Sequence, residues 1–376
     1  MASGRAPSRP PRLLSVGRFF GVPIYFAPSW LIIAALLTAY YAPVIHDATD
    51  GVSASTAYLI AAGYAIVFAF CVLAHELGHT AVALLRHLPV RRIVIFLLGG
   101  ISEIEKDPDR PRDEFLVAVA GPLVSLVLTA AFLGAYEAVP ARSTIGVTFL
   151  LLFWSNFAVA LFNLLPGLPL DGGRLLRSAV WAFGASRITS TKIAAWTGRA
   201  VAVAIAAFGL VADRSSWGLS AGVYGIAIAA YLWFGAGQSL RVGEIIERAG
   251  HVDLATLLRP GLFIEPGISV AEALRRAWSG NARGLVVVDS AQHPQAIVDE
   301  ALIGAIPPER RPWVAVSEVA RPLEPGLVLD VGLSGPDLLA AVRAVPAHEY
   351  LIVNHDGSPA GILAAADLVA SLQAAQ

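Results

Sequence analysis

Long stretches without a charged residue alternate with short polar segments through the first 240 positions. The uncharged runs are Phe19–Ile45, Ala57–Ala74, Phe115–Tyr136, Ser143–Leu170 and Ser215–Leu240, and a further run, Ile193–Ala212, is interrupted only by Arg199. A helix needs about 20 apolar residues to cross a bilayer. The pattern therefore predicts six transmembrane helices, of which the second continues to about Leu85.

Composition supports a membrane protein. Hydrophobic residues make up 56% of the 376 residues and charged residues only 15%, which is too apolar for an ordinary soluble chain. The net charge of -1 gives no reason to expect a nucleic-acid partner. The single cysteine, Cys71, excludes an intramolecular disulfide and a cysteine zinc cluster.

Arginine and lysine are concentrated in alternate loops. They precede the first span, follow the second and follow the fourth: Arg5, Arg9, Arg12, Arg18; Arg86, Arg91, Arg92; Arg174, Arg177, Arg187, Lys192. Short loops rich in these residues stay on the cytoplasmic side. We expect a multi-pass protein of the cell membrane with both termini in the cytoplasm.

The loop between the second and third spans reads "VRRIVIFLLGGISEIEKDPDRP". Its β-branched residues and central Gly99-Gly100 pair predict a short hairpin associated with the membrane. Strand backbone at that depth is tolerated only where protein or a water-filled cavity covers it. We therefore expect a cavity near this hairpin.

The composition changes after about residue 241. Two segments share a strand, turn, strand and helix pattern, one near Gly284 and one near Glu349, and each follows an Arg-Pro pair, at Arg259 and Arg321. This is an internal repeat of a small α/β unit. The predicted division is 1–18, a cytoplasmic segment; 19–240, the membrane domain; 241–310 and 311–376, the two repeats.

The segment "CVLAHELGHTAVALL" places His75, Glu76 and His79 in the second span. Histidines four residues apart on a helix can reach one metal ion, and the glutamate between them can act as general base, as in zinc hydrolases. Polar contacts along a seam between helices are the alternative. Burying these groups in lipid costs several kcal/mol unless something binds them, which favours a metal.

A catalytic zinc site needs a third ligand and an open fourth position. Asp171 in "NLLPGLPLDGG" is the clear candidate, because it follows the cytoplasmic end of the fourth span and His75 lies toward the cytoplasmic end of the second. Pro166 and Pro169 should end the helix there. We predict that His75, His79 and Asp171 bind one zinc ion per chain.

These two motifs together resemble those of the site-2 proteases, which are intramembrane zinc metalloproteases. The resemblance extends to "GRFFGVPIYFAPSW", "FLLGGISEIEKDP" and "AGPLVSLVL". The C-terminal repeats resemble a pair of cystathionine-β-synthase-type (CBS) domains, as in a bacterial subgroup of that family. The implied fold is a polytopic α-helical membrane domain of about six helices with a membrane-associated β-hairpin, followed by an α/β CBS pair.

The resemblance implies zinc at His75, His79 and Asp171, with Glu76 as the base. It also implies that Asn163 assists at the site, for example at an oxyanion, although an interhelical hydrogen bond is the alternative for this residue. Gly121 and Pro122 in the third span are expected to serve packing or a kink. The implied reaction is peptide hydrolysis in or near transmembrane segments of membrane-protein substrates, such as an anti-sigma factor or signalling precursor, in regulated intramembrane proteolysis.

Known CBS pairs often bind adenosine nucleotides. The ribose-binding pattern is incomplete here: "GILAAAD" keeps Gly361 and Asp367 but has Ala364 at the hydroxyl position, and "AIVDEAL" has Asp299 there and Leu302 at the end. Nucleotide binding and a role in association, including a homodimer, are both open.

Two other functional classes fit some of these observations. A transporter or channel gated by CBS domains would also have six spans, but its bundle would need more ionisable residues than the spans carry outside the two motifs. A catalytically inactive scaffold is disfavoured because all four key residues are present. The sequence favours a zinc metalloendopeptidase.

Overall fold

The computed structural model describes residues 13–96, 99–105, 107–212, 219–250, 254–280, 282–290, 293–333 and 335–374. The chain forms two compact units, Met1–Leu240 and Arg241–Gln376. The change between them falls where the composition changes. Each unit has its own packed core.

Seven helices belong mainly to the first unit: α1 Trp30–Ala48, α2 Ala54–Leu85, α3 Pro111–Glu137, α4 Thr144–Asn163, α5 Asp171–Ala182, α6 Arg187–Ala212 and α7 Leu219–Gly250. All except α5 contain a stretch long and apolar enough to cross a membrane, which confirms six spans among the described residues. The helix α5 is short, has one polar face and was not predicted from the sequence.

The first span begins later in the chain than the uncharged run. The uncharged run begins at Phe19, but Phe19 and Val22–Phe26 belong to strands, and α1 begins only at Trp30. A short uncharged run does not by itself distinguish a buried strand from a helix. Gly21 has a φ of 85°, a conformation that favours glycine, and it reverses the chain between the two strands.

The predicted hairpin is confirmed, but it is half of a four-stranded sheet. The strands are β1 Leu14–Phe19, β2 Val22–Phe26, β3 Val90–Phe96 and β4 Gly99–Ile104, in the order β1-β2-β3-β4. The pairs β1–β2 and β3–β4 are antiparallel, and β2–β3 is parallel. The strand β4 therefore lies at one edge of the sheet.

The third helix is central in the first unit, because α3 packs against α2, α4 and α5. Small residues at four-residue intervals on α2, namely Ala57, Ala61, Ala65 and Ala69, are buried and let neighbouring helices approach closely. In the middle of α6, the Arg199 guanidinium lies over the rings of Trp196 and Trp233, about 4.7 and 4.8 Å from their centroids. Arg199 thus joins α6 to α7 by cation–π contacts.

The segment between α4 and α5 returns the chain to the interior. The helix α4 ends at Asn163, short of the Leu170 at which the uncharged run ends, and the prolines that follow explain the stop. The backbone N–H of Leu168 donates to the carbonyl of Ala194 on α6 (3.1 Å). A Cβ on Gly198 would overlap the Leu168 carbonyl oxygen, so glycine is required for this close packing.

The second unit contains the two predicted α/β repeats. The first repeat comprises α8 Leu254–Leu257, β5 Gly261–Ile264, α9 Val270–Ser279, β6 Gly284–Val288, β7 Pro294–Val298 and α10 Glu300–Gly304. The second comprises β8 Ala320–Pro322, β9 Val328–Asp330, α11 Gly335–Ala344, β10 Glu349–Val353, β11 Pro359–Ala364 and α12 Ala365–Ala374. Their sheets have the orders β5-β6-β7-β8 and β11-β10-β9.

The leading segment of each repeat pairs with the other repeat. Arg321 in β8 pairs with Ile297 in β7 of the first repeat. Reciprocally, Arg259 makes both backbone hydrogen bonds with Ile362 in β11 of the second, at 2.9 and 3.0 Å. The two Arg-Pro pairs therefore occupy equivalent places, and neither repeat is complete without the other.

Candidate metal centre

The helix α2 carries three buried polar side chains through the apolar bundle. His75, Glu76 and His79 are only 4%, 7% and 4% exposed. Residues at positions i and i+4 lie on one face of a helix, and the two imidazole rings are nearly perpendicular, with centroids 4.9 Å apart. Their Nε2 atoms lie 3.2 Å from each other.

Asp171 completes a compact group with the two histidines. Its Oδ2 atom lies 3.2 Å from Nε2 of His75 and 3.1 Å from Nε2 of His79. Asp171 is the first residue of α5, so the turn after α4 brings its carboxylate to the same depth as the α2 motif. Among the described residues, these three form the one group with the composition and spacing of a metal site.

The opposite nitrogen of each imidazole is engaged by α3. His79 donates from Nδ1 to the carbonyl of Val117 (2.7 Å), and Nδ1 of His75 is hydrogen-bonded to Oγ of Ser125 (2.9 Å). These contacts leave both Nε2 atoms directed at Asp171. Histidines that bind metals are commonly oriented by such a partner on the other ring nitrogen.

The geometry fits zinc. Tetrahedral ligands at about 2.0–2.1 Å from a zinc ion are separated by roughly 3.3 Å, close to the 3.1–3.2 Å measured among the three donor atoms. The donor set of two imidazoles and a carboxylate is also one that zinc uses in catalytic sites. The spacing and chemistry of the residues thus suit the metal.

Gly121 on α3 keeps the space beside the two histidines open. A Cβ at this position would overlap Nε2 of His79 and lie 2.6 Å from Nε2 of His75. A role in packing or a kink was expected from the sequence, and glycine is indeed required by close approach. The neighbours it makes room for, however, are the two imidazoles of the candidate site.

The side chain of Glu76 is held in place by a hydrogen bond from the sheet. Ser102 on β4 donates to its Oε2 (2.8 Å), and Thr80, one turn along α2, donates to Ser102 (3.1 Å). A Cβ on Gly100 would overlap the Glu76 side chain, so glycine lets β4 run directly against it. Sequence reasoning identified the Gly99-Gly100 pair as a turn signal and did not identify Ser102.

A cavity of about 850 Å³ opens onto this group. Its lining includes His75, Glu76 and Asp171, the hairpin residues Gly99–Ile101, and side chains of α1, α4 and α7. A cavity near the hairpin was expected. Asn163 also lines it, and its Nδ2 donates to the carbonyl of Val159 one turn earlier in α4 (3.0 Å).

Five other histidines are exposed and are not part of this group: His46, His87, His293, His348 and His355. His251 lies outside the described residues.

In the second unit, the carboxylate of the incomplete ribose-binding pattern is already engaged. Asp367 accepts hydrogen bonds from Nε (2.7 Å) and Nη2 (2.9 Å) of Arg259. This pairing lowers the pKa of Asp367 below its ordinary value. The side chain that would accept from a ribose is therefore occupied within the protein.

Comparison with known proteins places these features in a family. Residues 63–141 and 134–208 match the family described as Peptidase family M50. A protein of Synechocystis named as a zinc metalloprotease is 30% identical over 376 residues, with 96% of this chain and 95% of that protein covered.

Two solved structures resemble parts of the chain. The site-2 protease from Methanocaldococcus jannaschii is 25% identical, covers 61% of this chain and 95% of its own, and gives a TM-score of 0.41. The CBS domain of the bacterial CNNM/CorC family Mg²⁺ transporter is 16% identical, covers 35% of this chain and 83% of its own, and gives a TM-score of 0.28.

The relative from Synechocystis is similar along almost the whole chain, including both parts that carry the candidate metal centre. The family match covers the α2 motif and the segment with Asp171. The chain therefore belongs to peptidase family M50, the site-2 protease family of membrane zinc metalloproteases.

Proposed function

We propose that His75, His79 and Asp171 hold the zinc ion and that Glu76 is the general base for hydrolysis of a peptide bond within or near a transmembrane segment of a membrane-protein substrate. The observation that carries the assignment is the triangle of donor atoms 3.1–3.2 Å apart beside a buried glutamate. Zinc, when bound, acts as a Lewis acid that polarises a carbonyl and lowers the pKa of water.

The residues of the chain would perform the proton transfers. Glu76 would accept the proton of the attacking water and pass it to the departing amine. Ser102 fixes one carboxylate oxygen, which leaves the other available to the cavity. Asn163 would donate from its amide to the oxyanion that forms on the scissile carbonyl.

The edge strand β4 would receive the substrate. In a substrate helix every carbonyl is tied to the residue four positions later, so the cleaved region must unwind. An unwound segment could add to β4 through backbone hydrogen bonds, and Gly99–Ile101 of this strand line the cavity. Ile101→Pro should abolish cleavage, whereas Val16→Pro, at the irregular point of β1 on the opposite edge, should not.

The cellular role would be regulated intramembrane proteolysis of a substrate such as an anti-sigma factor or a signalling precursor, with release of a cytoplasmic fragment. The distribution of arginine and lysine supports cytoplasmic positions for both termini. Reporter fusions at each end, read for cytoplasmic or external location, test this orientation.

For the CBS-type repeats, we favour a role in association of two chains, through which they would modulate the protease. Adenosine nucleotide binding is less favoured because Arg259 already occupies Asp367. The mass of the detergent-solubilised protein, measured with and without AMP or ATP, tests both. A dimer whose mass is unaffected by nucleotide supports association, and a monomer in both conditions overturns it.

The zinc content of the purified, detergent-solubilised protein tests the central assignment. We expect about one zinc per chain in the parent and a sharp loss in both His79→Ala and Asp171→Ala. A folded parent that takes up no zinc after supplementation would refute it. If zinc binds as expected, Glu76→Gln should retain the metal but lose activity, and this variant can trap substrates.

A further inference from the structure

A buried ion pair joins α3 to α5 near the candidate metal centre. Nε of Arg177 on α5 donates to Oε1 of Glu114 on α3 at 2.5 Å, and Nη2 of Arg177 contacts the same oxygen. The Glu114 side chain is fully buried and that of Arg177 is 16% exposed. Among the described residues, the second oxygen of Glu114 has no hydrogen-bond partner.

The ion pair lies on the two helices that connect the histidines of the candidate site to its aspartate. The histidines come from α2 and the aspartate from α5, and α3 packs against both helices. One turn after Glu114, the carbonyl of Val117 on α3 orients His79, and Gly121 on the same helix lies against the imidazoles. The helix α3 is therefore the common support for the two histidines and for α5.

Asp171 depends on the placement of α5 as a whole. It is the first residue of this helix, and Arg177 follows six positions later, about 9 Å along the axis. Metal ligands must be held to within about 0.5 Å of the required geometry. An attachment of α5 to α3 that is buried, charged and directional can provide this precision.

We infer that Glu114 and Arg177 are positioning residues that hold α5 against α3 so that Asp171 meets the two histidines. This inference rests on the proposed function, because it takes Asp171 to be a zinc ligand. Neither residue touches the candidate site, so the ion pair acts only through the helix that carries the aspartate.

A buried pair need not add stability. Removal of one partner leaves an uncompensated charge, whereas replacement of both by apolar residues of similar size is often neutral or stabilising. The effect of the pair on zinc binding can therefore be distinguished from its effect on stability by comparing a single with a double variant. Stability should recover in the double variant, but the directional attachment of α5 should not.

The test measures zinc affinity by competition with a chelator, and the thermal midpoint of the metal-free protein, for full-length parent and variants. We expect Glu114→Gln to bind zinc about tenfold more weakly, at the lower end of effects seen for residues beyond the ligands. The double variant Glu114→Leu/Arg177→Met should have a midpoint near that of the parent but retain the weaker zinc binding.

The control is the neighbouring, more exposed pair between Arg86 and Asp113, whose side chains are 37% and 15% exposed; Nε of Arg86 donates to Oδ1 of Asp113 at 2.7 Å. Asp113 precedes Glu114 on α3 but is paired with the end of α2, so Asp113→Asn should leave zinc affinity unchanged. If Glu114→Gln binds zinc as tightly as the parent, or if the double variant recovers the parental zinc affinity, the positioning role is overturned and the proposed zinc site still stands. If Asp171→Ala itself binds zinc like the parent, the proposed site fails together with it.

Discussion

Ser102 on the edge strand β4 donates a hydrogen bond to Oε2 of Glu76 on α2, at 2.8 Å. The strand proposed to receive the substrate is thus in direct contact with the proposed base. A substrate segment that adds to β4 would arrive at a carboxylate whose orientation is already set by the same strand.

Loss of this contact should slow catalysis without loss of the metal. A hydrogen bond to a charged group contributes about 1.5–3 kcal/mol, so we expect kcat of Ser102→Ala to fall by about tenfold or more. Zinc content should match that of the parent. The control is Ser239→Ala, which removes only a bond to the Gly235 carbonyl within α7. A Ser102→Ala enzyme with parental kcat would show that Glu76 needs no support from the hairpin.

The space beside the histidines should not tolerate even one methyl group. In Gly121→Ala the added Cβ would overlap Nε2 of His79, so we expect zinc binding to be lost. Gly134→Ala on the same helix is the matched control, since its Cβ would meet no atom within 4 Å. Equal zinc content in the two variants would show that α3 can move away from α2.

The hydroxyl of Ser125 should affect metal binding through His75. Removal of a partner that orients a metal-bound histidine typically weakens binding about 10–100-fold, and we expect Ser125→Ala to fall in this range. Thr129→Val is a suitable control, because Thr129 donates only to the Ser125 carbonyl on the same helix. Zinc affinity unchanged in Ser125→Ala would indicate that α2 alone fixes the ring.

The ion pair between Arg259 and Asp367 should give the second unit a stability that depends on pH. Because the folded pKa of Asp367 is lowered from its ordinary value of 3.8, its stabilisation is fully present above that value and is lost as the pH falls below it. The side chain is 36% exposed, so solvent screening limits the effect to at most about 1 kcal/mol.

Hydrogen exchange at the backbone amides of Arg259 and Ile362 measures this effect. At pH 7, exchange in Asp367→Asn should be faster than in the parent, and the difference should shrink as the pH falls below 3.8. Asp356→Asn is the control, because the Asp356 carboxylate accepts hydrogen bonds from the backbone and side chain of Ser358 instead. A difference between parent and Asp367→Asn that is the same at all pH values would contradict the assigned role of the charge.

Much of the architecture could be predicted because lipid imposes simple requirements. Six long apolar runs gave six spans, and the prolines near position 166 gave the end of α4. The strands before Trp30 were missed. Gly21 turns β1 back onto β2 as a local hairpin, but β3, the strand that continues the sheet beside β2, lies more than 60 residues later in the chain. The residues of Val22–Phe26 alone do not distinguish a strand from the start of a helix.

The site was predicted in part for a similar reason. His75, Glu76 and His79 form a local motif, and Asp171 follows a distinctive turn, so sequence identifies them as candidates. Ser102 and the pair formed by Glu114 and Arg177 are contacts across the fold, 26 and 63 positions apart in the chain. Their residue types are common, and only the structure relates them to the site.

If the proposed function is correct, the cavity also limits how much of a substrate can be handled at once. Tyr64 and His75 both line it, and eleven positions along one continuous helix correspond to about 16 Å. An extended chain advances about 3.3 Å per residue, so roughly five unwound residues fill this length. The cavity would then accept only a short unwound segment. Substrate helices that unwind readily, at glycine or proline or near an end, would be cut in preference to uniformly stable ones.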